Sequence, residues 1–115
     1  MTGPRGAGSL CPIDALDDPG AKGIDPEGAP DLPGVIVVRH AGALYGYVNR
    51  CPHQGTPLET FPDRFLDREG HELICSTHGA RFRVRDGVCV AGPCKGKSLA
   101  PVVLSVEDGW VRRDD

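Results

Sequence analysis

Residues 51–59 read CPHQGTPLE, and residues 75–82 read CSTHGARF. Each stretch sets one cysteine and one histidine in a short glycine-containing loop. The pattern is Cys51-x-His53, then 21 residues, then Cys75-x-x-His78. Two thiolates and two imidazoles gathered in a pair of matched loops imply a bound metal.

Two kinds of centre take such a ligand set. A single zinc ion accepts two cysteines and two histidines tetrahedrally. A 2Fe–2S cluster accepts two cysteines on one iron and two histidines on the other. In zinc sites of this composition, cysteine usually pairs with cysteine in one loop and histidine with histidine in another. Here each loop supplies one of each, which suits a binuclear centre because each loop then reaches both metals. Gly55 and Gly79 follow the histidines within two residues. Glycine lets backbone approach closely, so that N–H groups face the cluster sulfurs. Pro52 stiffens the first loop. YVNR leads into Cys51 and HELI into Cys75, so each loop is expected at a strand end.

The surrounding sequence is β in character. VIVVRH (35–40) and ALYGYVN (43–49) flank an Ala-Gly turn. RFLD (64–67) and HELIC (71–75) flank Arg68-Glu69-Gly70, and RFRVR (81–85) and VCV (88–90) flank Asp86-Gly87. VVLSV (102–106) and WVRR (110–113) flank Glu107-Asp108-Gly109. These read as successive hairpins, the Asp-Gly pairs being strong turn signals. CPIDALDDPG is compatible with an edge strand or a single turn. The segment from KGIDPEGAPDLPG reads as loop. Residues 1–8 are expected to be disordered. No stretch has convincing helical periodicity. The expectation is an all-β fold of about eight short strands, a small antiparallel sandwich or barrel. In RFRVR, alternation puts Phe82 and Val84 on one inward face. Arg81, Arg83 and Arg85 share the other, either a solvated strand face or a basic docking row beside the second loop.

A chain of 115 residues makes a single domain, 1–115, with core enough for one. The 16 glycines and 11 prolines suit short strands and many turns. The formal net charge of −3 argues against nucleic acid as partner. No apolar run reaches membrane-span length, and MTGPRGAGSLCPID lacks the apolar block of a signal peptide. The expectation is a soluble cytoplasmic protein, away from membranes. Its five cysteines then read as ligands or free thiols, not a disulfide framework.

Together these residues resemble the Rieske iron–sulfur family, over about Val35 to Val111. The resemblance rests on NRCPHQGTPLE, CSTHGARF, the hairpin VRDGVC and the following AGP. It implies a Rieske-like antiparallel β sandwich or barrel with an inserted cluster-binding subdomain at about 50–93. It implies one 2Fe–2S cluster held by Cys51, His53, Cys75 and His78, with the cysteines on the inner iron and the histidines on a solvent-facing outer iron. The loop with Gly92 and Pro93 would close over the cluster. Respiratory-complex members carry a disulfide between the two loops. The matching positions here are Thr56 and Thr77. Those members also have serine and tyrosine hydroxyls that donate to cluster or ligand sulfur, where this chain has Ala80 and Phe82. Fewer donors mean a lower potential, so the chain is similar to the soluble, low-potential ferredoxins of aromatic-ring oxygenase systems.

That likeness implies an electron carrier without catalytic residues. Its partners would be a flavin-dependent reductase and a terminal oxygenase or other redox protein. The alternatives are a zinc-binding structural or interaction module, or a fixed electron-transfer subunit of a larger oxidoreductase complex. An oxygenase large subunit would need a second, mononuclear iron domain. Only His40 and His71 remain as histidines, and no length is left for that domain. Both are expected to face solvent. Cys11 reads as a small apolar residue in an early strand. Cys89 and Cys94 read as one semi-buried and one loop thiol, with a disulfide as the alternative.

Overall fold

The computed structural model describes residues 9–24, 34–52, 58, 64–75 and 79–113. The stretch 1–8, expected to be disordered, lies outside the described residues. In chain order the elements are β1 (Ser9–Pro12), a 3-10 turn (Ile13–Ala15), β2 (Gly20–Ile24), β3 (Val35–His40) and β4 (Ala43–Val48). Then come β5 (Glu72–Ile74), β6 (Arg81–Arg83), β7 (Cys89–Ala91), β8 (Leu104–Glu107) and β9 (Trp110–Arg113). They form three antiparallel three-stranded sheets, ordered β1-β9-β8, β2-β3-β4 and β5-β6-β7. No α-helix occurs among the described residues, and none of their helices is long and apolar enough to cross a membrane.

β3 explains the layering. Val35 to Val38 are all buried, because both faces of this central strand are covered. Side chains alternate, so Ile36 and Val38 enter one core while Val35 and Val37 enter another. β4 splits the same way, with Tyr45 and Tyr47 on the first side and Leu44 and Val48 on the second. The first core is shared with Leu73, Phe82 and Cys89 of β5-β6-β7, the second with Cys11 and Val111 of β1-β9-β8. Each fully buried Val or Ile contributes roughly 1.5–3 kcal/mol. Gly46 permits the segment after Leu99 to cross β4. A Cβ there would stand 2.6 Å from the Val102 carbonyl oxygen, whose own N–H donates to the Gly46 carbonyl at 2.8 Å.

Two hairpins close as the sequence suggests. His40 pairs with Ala43 around Ala41-Gly42, and Glu107 with Trp110 around Asp108-Gly109. All four turn residues have positive φ, as a type I′ turn requires. Ala41 tolerates this because the Asp18 carboxylate accepts from the Ala41 and Gly42 N–H groups, both at 2.8 Å.

Other segments differ from the sequence reading. β2 occupies part of the segment read as loop. Its two glycines hide any strand pattern, and it forms because Gly20 to Ile24 pair in register with Arg39 to Val35. CPIDALDDPG holds both alternatives at once, a strand followed by a single turn. RFLD is not a strand. It contributes one bridge, Leu66 to Leu73, flanked by Ile74 N–H to Phe65 carbonyl at 2.7 Å. RFRVR stops being a strand at Arg83. The Arg83 N–H bonds the Val88 carbonyl at 2.9 Å, so residues 84–87 form the turn. Val84 is buried as expected, but from the turn, where the Tyr47 hydroxyl donates to its carbonyl.

Tyr47 thus ties the middle sheet to the β6–β7 turn, its ring lying where a Cβ on Gly87 would be 2.7 Å away. Burial, with the nearby Asp86 carboxylate and Tyr45, pushes its pKa from 10 up to about 12. A phenol whose pKa is raised on folding contributes stability that is whole below pH 10 and is lost as pH climbs toward 12. Tyr47→Phe is expected to cost about 1 kcal/mol at neutral pH through the lost bond to Val84. The difference between wild type and variant should shrink as pH rises above 10, which urea unfolding at graded pH would measure.

Candidate metal centre

Both ligand cysteines of the sequence reading are fully buried, in the same core cluster as Leu58, Phe65, Ala80 and Phe82. The first loop leaves β4 at Val48. The Asn49 N–H donates to the Gly34 carbonyl and the Arg50 N–H to the Val48 carbonyl, both at 2.8 Å, turning the chain inward at Cys51. The Asn49 side chain then closes the loop. Its Oδ1 accepts the Leu58 N–H at 2.9 Å, joining the two ends across nine positions. Asn49 is the one buried polar side chain of the described core. Sequence reading missed it, and its only signal was its place two residues before Cys51.

The second loop leaves β5 and closes more tightly. The Cys75 N–H donates to the Ala80 carbonyl and the Gly79 N–H to the Cys75 carbonyl, both at 2.8 Å. Gly79 is exposed at the tip, while Ala80 is buried behind it. A third loop follows β7. Gly92, at φ +95°, lies so close that a Cβ would stand 2.7 Å from Ala80 Cα. This is the loop with Gly92 and Pro93 expected to close over the site, and it packs directly on the second loop.

His53 and His78 lie outside the described residues, as do Gln54, Gly55, Thr56 and Thr77. Among the described residues no group of three or more His, Cys, Asp or Glu side chains is placed to hold a metal. The described part of the proposed set is two thiols, which the structure brings into one apolar wall. Soft sulfur donors at the roots of two hydrogen-bonded loops fit an iron–sulfur centre. As metal ligands the two sulfurs would be thiolates, a charge that so apolar a wall accepts only with a metal's charge beside it.

The other candidates are placed as follows. His71 is exposed, but His40 is half-buried, and the two rings meet edge to face with centroids 6.4 Å apart. Cys11 is buried on β1, as expected. Cys94 lies in the loop after β7, as one of the two thiols was expected to, but it is not at the surface. It is buried with Cys89, their sulfurs 3.3 Å apart as two free thiols. The basic row is also reshaped. Arg81 begins β6 next to the second loop, but residues 84–87 lie at the other end of that strand, which carries Arg85 away. Arg81 is committed to Asp67 at 2.6 Å and Glu72 at 2.7 Å, and Arg83 to Asp86 at 2.8 Å. Burial opposes charge on Asp67, yet the N–H groups of His71 and Glu72 and the Arg81 guanidinium outweigh it and hold its carboxyl below the usual range.

The Rieske [2Fe-2S] domain family model matches residues 9–107. Among solved structures the chain is similar to the Sphingomonas yanoikuyae B1 ferredoxin, at 26% identity and a TM-score of 0.74, covering 93% of this chain and 96% of that one. It is similar to the ferredoxin of carbazole 1,9a-dioxygenase from Nocardioides aromaticivorans IC177, at 25% identity and a TM-score of 0.70, covering 91% and 93%. A complex of reduced oxygenase and oxidized ferredoxin in carbazole 1,9a-dioxygenase shares the fold at 23% identity and a TM-score of 0.72, covering 91% and 89%. No curated protein sequence matches the chain. With its three antiparallel sheets and two cysteine-rooted loops, the chain belongs to the Rieske family, whose domain carries a 2Fe–2S cluster.

Proposed function

We propose that this chain is a one-electron carrier, passing electrons from a flavin-dependent reductase to a terminal oxygenase. The observation that carries this is the pair of buried thiols, Cys51 and Cys75, converging on one apolar wall from two closed loops. In this reading Cys51 and Cys75 hold the inner iron, and His53 and His78 hold the outer one. Bound there, the cluster supplies a single reversible electron. The protein's own part is to exclude water on the sulfur side and to leave a thin, uncharged edge for exit. Gly79, Gly92 and Pro93 are exposed around the loops, and such a small surface suits a brief complex. Similarity to the ferredoxin of carbazole 1,9a-dioxygenase supports an oxygenase as acceptor.

Metal and sulfide analysis with a visible spectrum tests the reading. Two irons and two sulfides per chain are expected, with a rhombic electron-spin signal on reduction. Zinc alone would sink it. His78→Ala, His53→Ala, Cys51→Ser and Cys75→Ser should each lose or destabilise the chromophore. His40→Ala and His71→Ala should leave the spectrum intact.

Approach of a partner is expected to depend on cations around the loops. Arg50 immediately precedes Cys51, and Lys95 and Lys97 follow Cys94; all three are exposed. Arg81 is bound to two carboxylates, so reversing its charge should damage folding instead. We expect Arg50→Glu with Lys95→Glu to slow oxidation of the reduced protein by hexacyanoferrate(III) severalfold at low salt. The difference should fade at high salt, since exposed charges are screened beyond about 10 Å at 0.1 M. A deficit that persists in salt would mean a damaged fold or a lost direct contact.

A further inference from the structure

Cys89 and Cys94 stand outside the four-residue ligand set, and both are free thiols in the core, 2% and 1% exposed. Cys89 opens β7 opposite Phe82. The chain then turns through Gly92 and Pro93 and folds back. The Cys89 N–H donates to the Lys97 carbonyl at 2.8 Å, the Gly96 N–H to the Cys89 carbonyl at 3.2 Å, and the Lys97 N–H to the Cys94 carbonyl at 2.9 Å. Both backbone polar groups of Cys89 are thus engaged by the returning limb of the loop, which holds Cys94 beside it. The Cys94 thiol donates to the Cys89 sulfur at 3.3 Å, across five positions of sequence. The two residues differ in setting. Cys94 sits between exposed Pro93 and Lys95, while Cys89 sits between half-buried Val88 and Val90.

We propose that Cys89 and Cys94 are a reversible dithiol–disulfide pair, oxidised by a low-molecular-weight disulfide and clasping the third loop to β7. A disulfide brings its sulfurs to about 2.05 Å. Only the remaining gap has to close, because the backbone bonds already hold the two residues side by side. Cys94 reacts first, since lifting of the exposed segment 95–98 uncovers it without unpairing β7 from β6. Its sulfur attacks one sulfur of the reagent. A mixed disulfide forms, the reagent's S–S bond breaks, and the leaving half departs as a thiol with the Cys94 proton. The Cys89 sulfur then attacks the Cys94 sulfur. The protein S–S bond forms, the mixed bond breaks, and the second half leaves as a thiol with the Cys89 proton. The protein gives up two electrons and two protons, and the reagent takes them to become two thiols. The second step joins groups already in contact, so it outruns attack by a thiol from solution. The product ties the third loop, which Gly92 seats against Ala80 of the second loop, covalently to the small sheet. The inference stands on these two thiols and not on the ligand assignment.

The test uses the full chain as purified, equilibrated in glutathione redox buffers of graded ratio, quenched in acid, alkylated and mapped by mass spectrometry. Rising glutathione disulfide is expected to convert the pair into a single cross-link between Cys89 and Cys94, with the mass of two hydrogens lost, and dithiothreitol should restore both thiols. In Cys89→Ser the resolving sulfur is gone, so glutathione should accumulate on Cys94 roughly tenfold or more above wild type. In Cys94→Ser, Cys89 should remain a free thiol. Should a serine variant fail to fold, the wild-type map decides by itself. Cys89 and Cys94 both alkylated at every glutathione ratio overturns the proposal. So does a cross-link of either one to Cys11, Cys51 or Cys75 in its place. Glutathione carried by Cys89 in Cys94→Ser as fully as by Cys94 in Cys89→Ser overturns it too. A pair that oxidises as expected in a chain holding only zinc sinks the electron-carrier reading and leaves this inference standing.

Discussion

The constraint on which the molecule depends is that β3 is buried on both faces. Four consecutive β-branched residues leave no polar side to present to water, so a layer must cover each face. Val35 and Val37 are covered by the sheet that joins the two ends of the chain, β1 with β8 and β9. Ile36 and Val38 are covered by the small sheet β5-β6-β7. That second layer is made entirely from residues 72–91, between the first and third loops. The site is therefore one of the two coverings the central sheet requires, and its wall is continuous with the main core.

Rigidity at the site comes from closing short loops at their roots. Asn49 joins Leu58, Cys75 joins Ala80, and Gly92 lies against Ala80. Each device fixes a loop end and keeps charge out of the sulfur wall. The cost of burying the Asn49 amide is offset by its bond to backbone, which would otherwise lose a partner. Electrostatic order is kept to the outside of the small sheet. Asp67 gathers two backbone N–H groups and the Arg81 guanidinium at the β5 edge, and Arg81 holds Glu72 as well. Arginines that alternation places on one face thus serve the sheet's own cohesion before any partner's. Exposed cations nearer the loops, Arg50 and Lys95, are better placed to act at a distance.

Much was legible in the sequence by itself. The Cys-His pairs at 51/53 and 75/78 pointed to a 2Fe–2S centre, and the family match agrees on that cluster. Hairpins at Ala41-Gly42 and Asp108-Gly109 were visible because a two-residue turn with positive φ has a narrow choice of residues. The inward placement of Phe82 followed from alternation; Val84 is buried as well, but from the turn that follows the strand. Only the tertiary structure decided the rest. β2, with its glycines, exists because β3 offers it a ladder. Arg83 ends its strand because Val84 is drawn inward and its carbonyl is taken by Tyr47, 37 positions away. Cys94 is interior because its loop folds back onto β7, and Asn49 matters because Leu58 returns to it. Local propensity and periodicity are properties of neighbours in the chain. Burial, pairing and the partners of a buried polar atom are set by residues distant in sequence, and only folding brings those together.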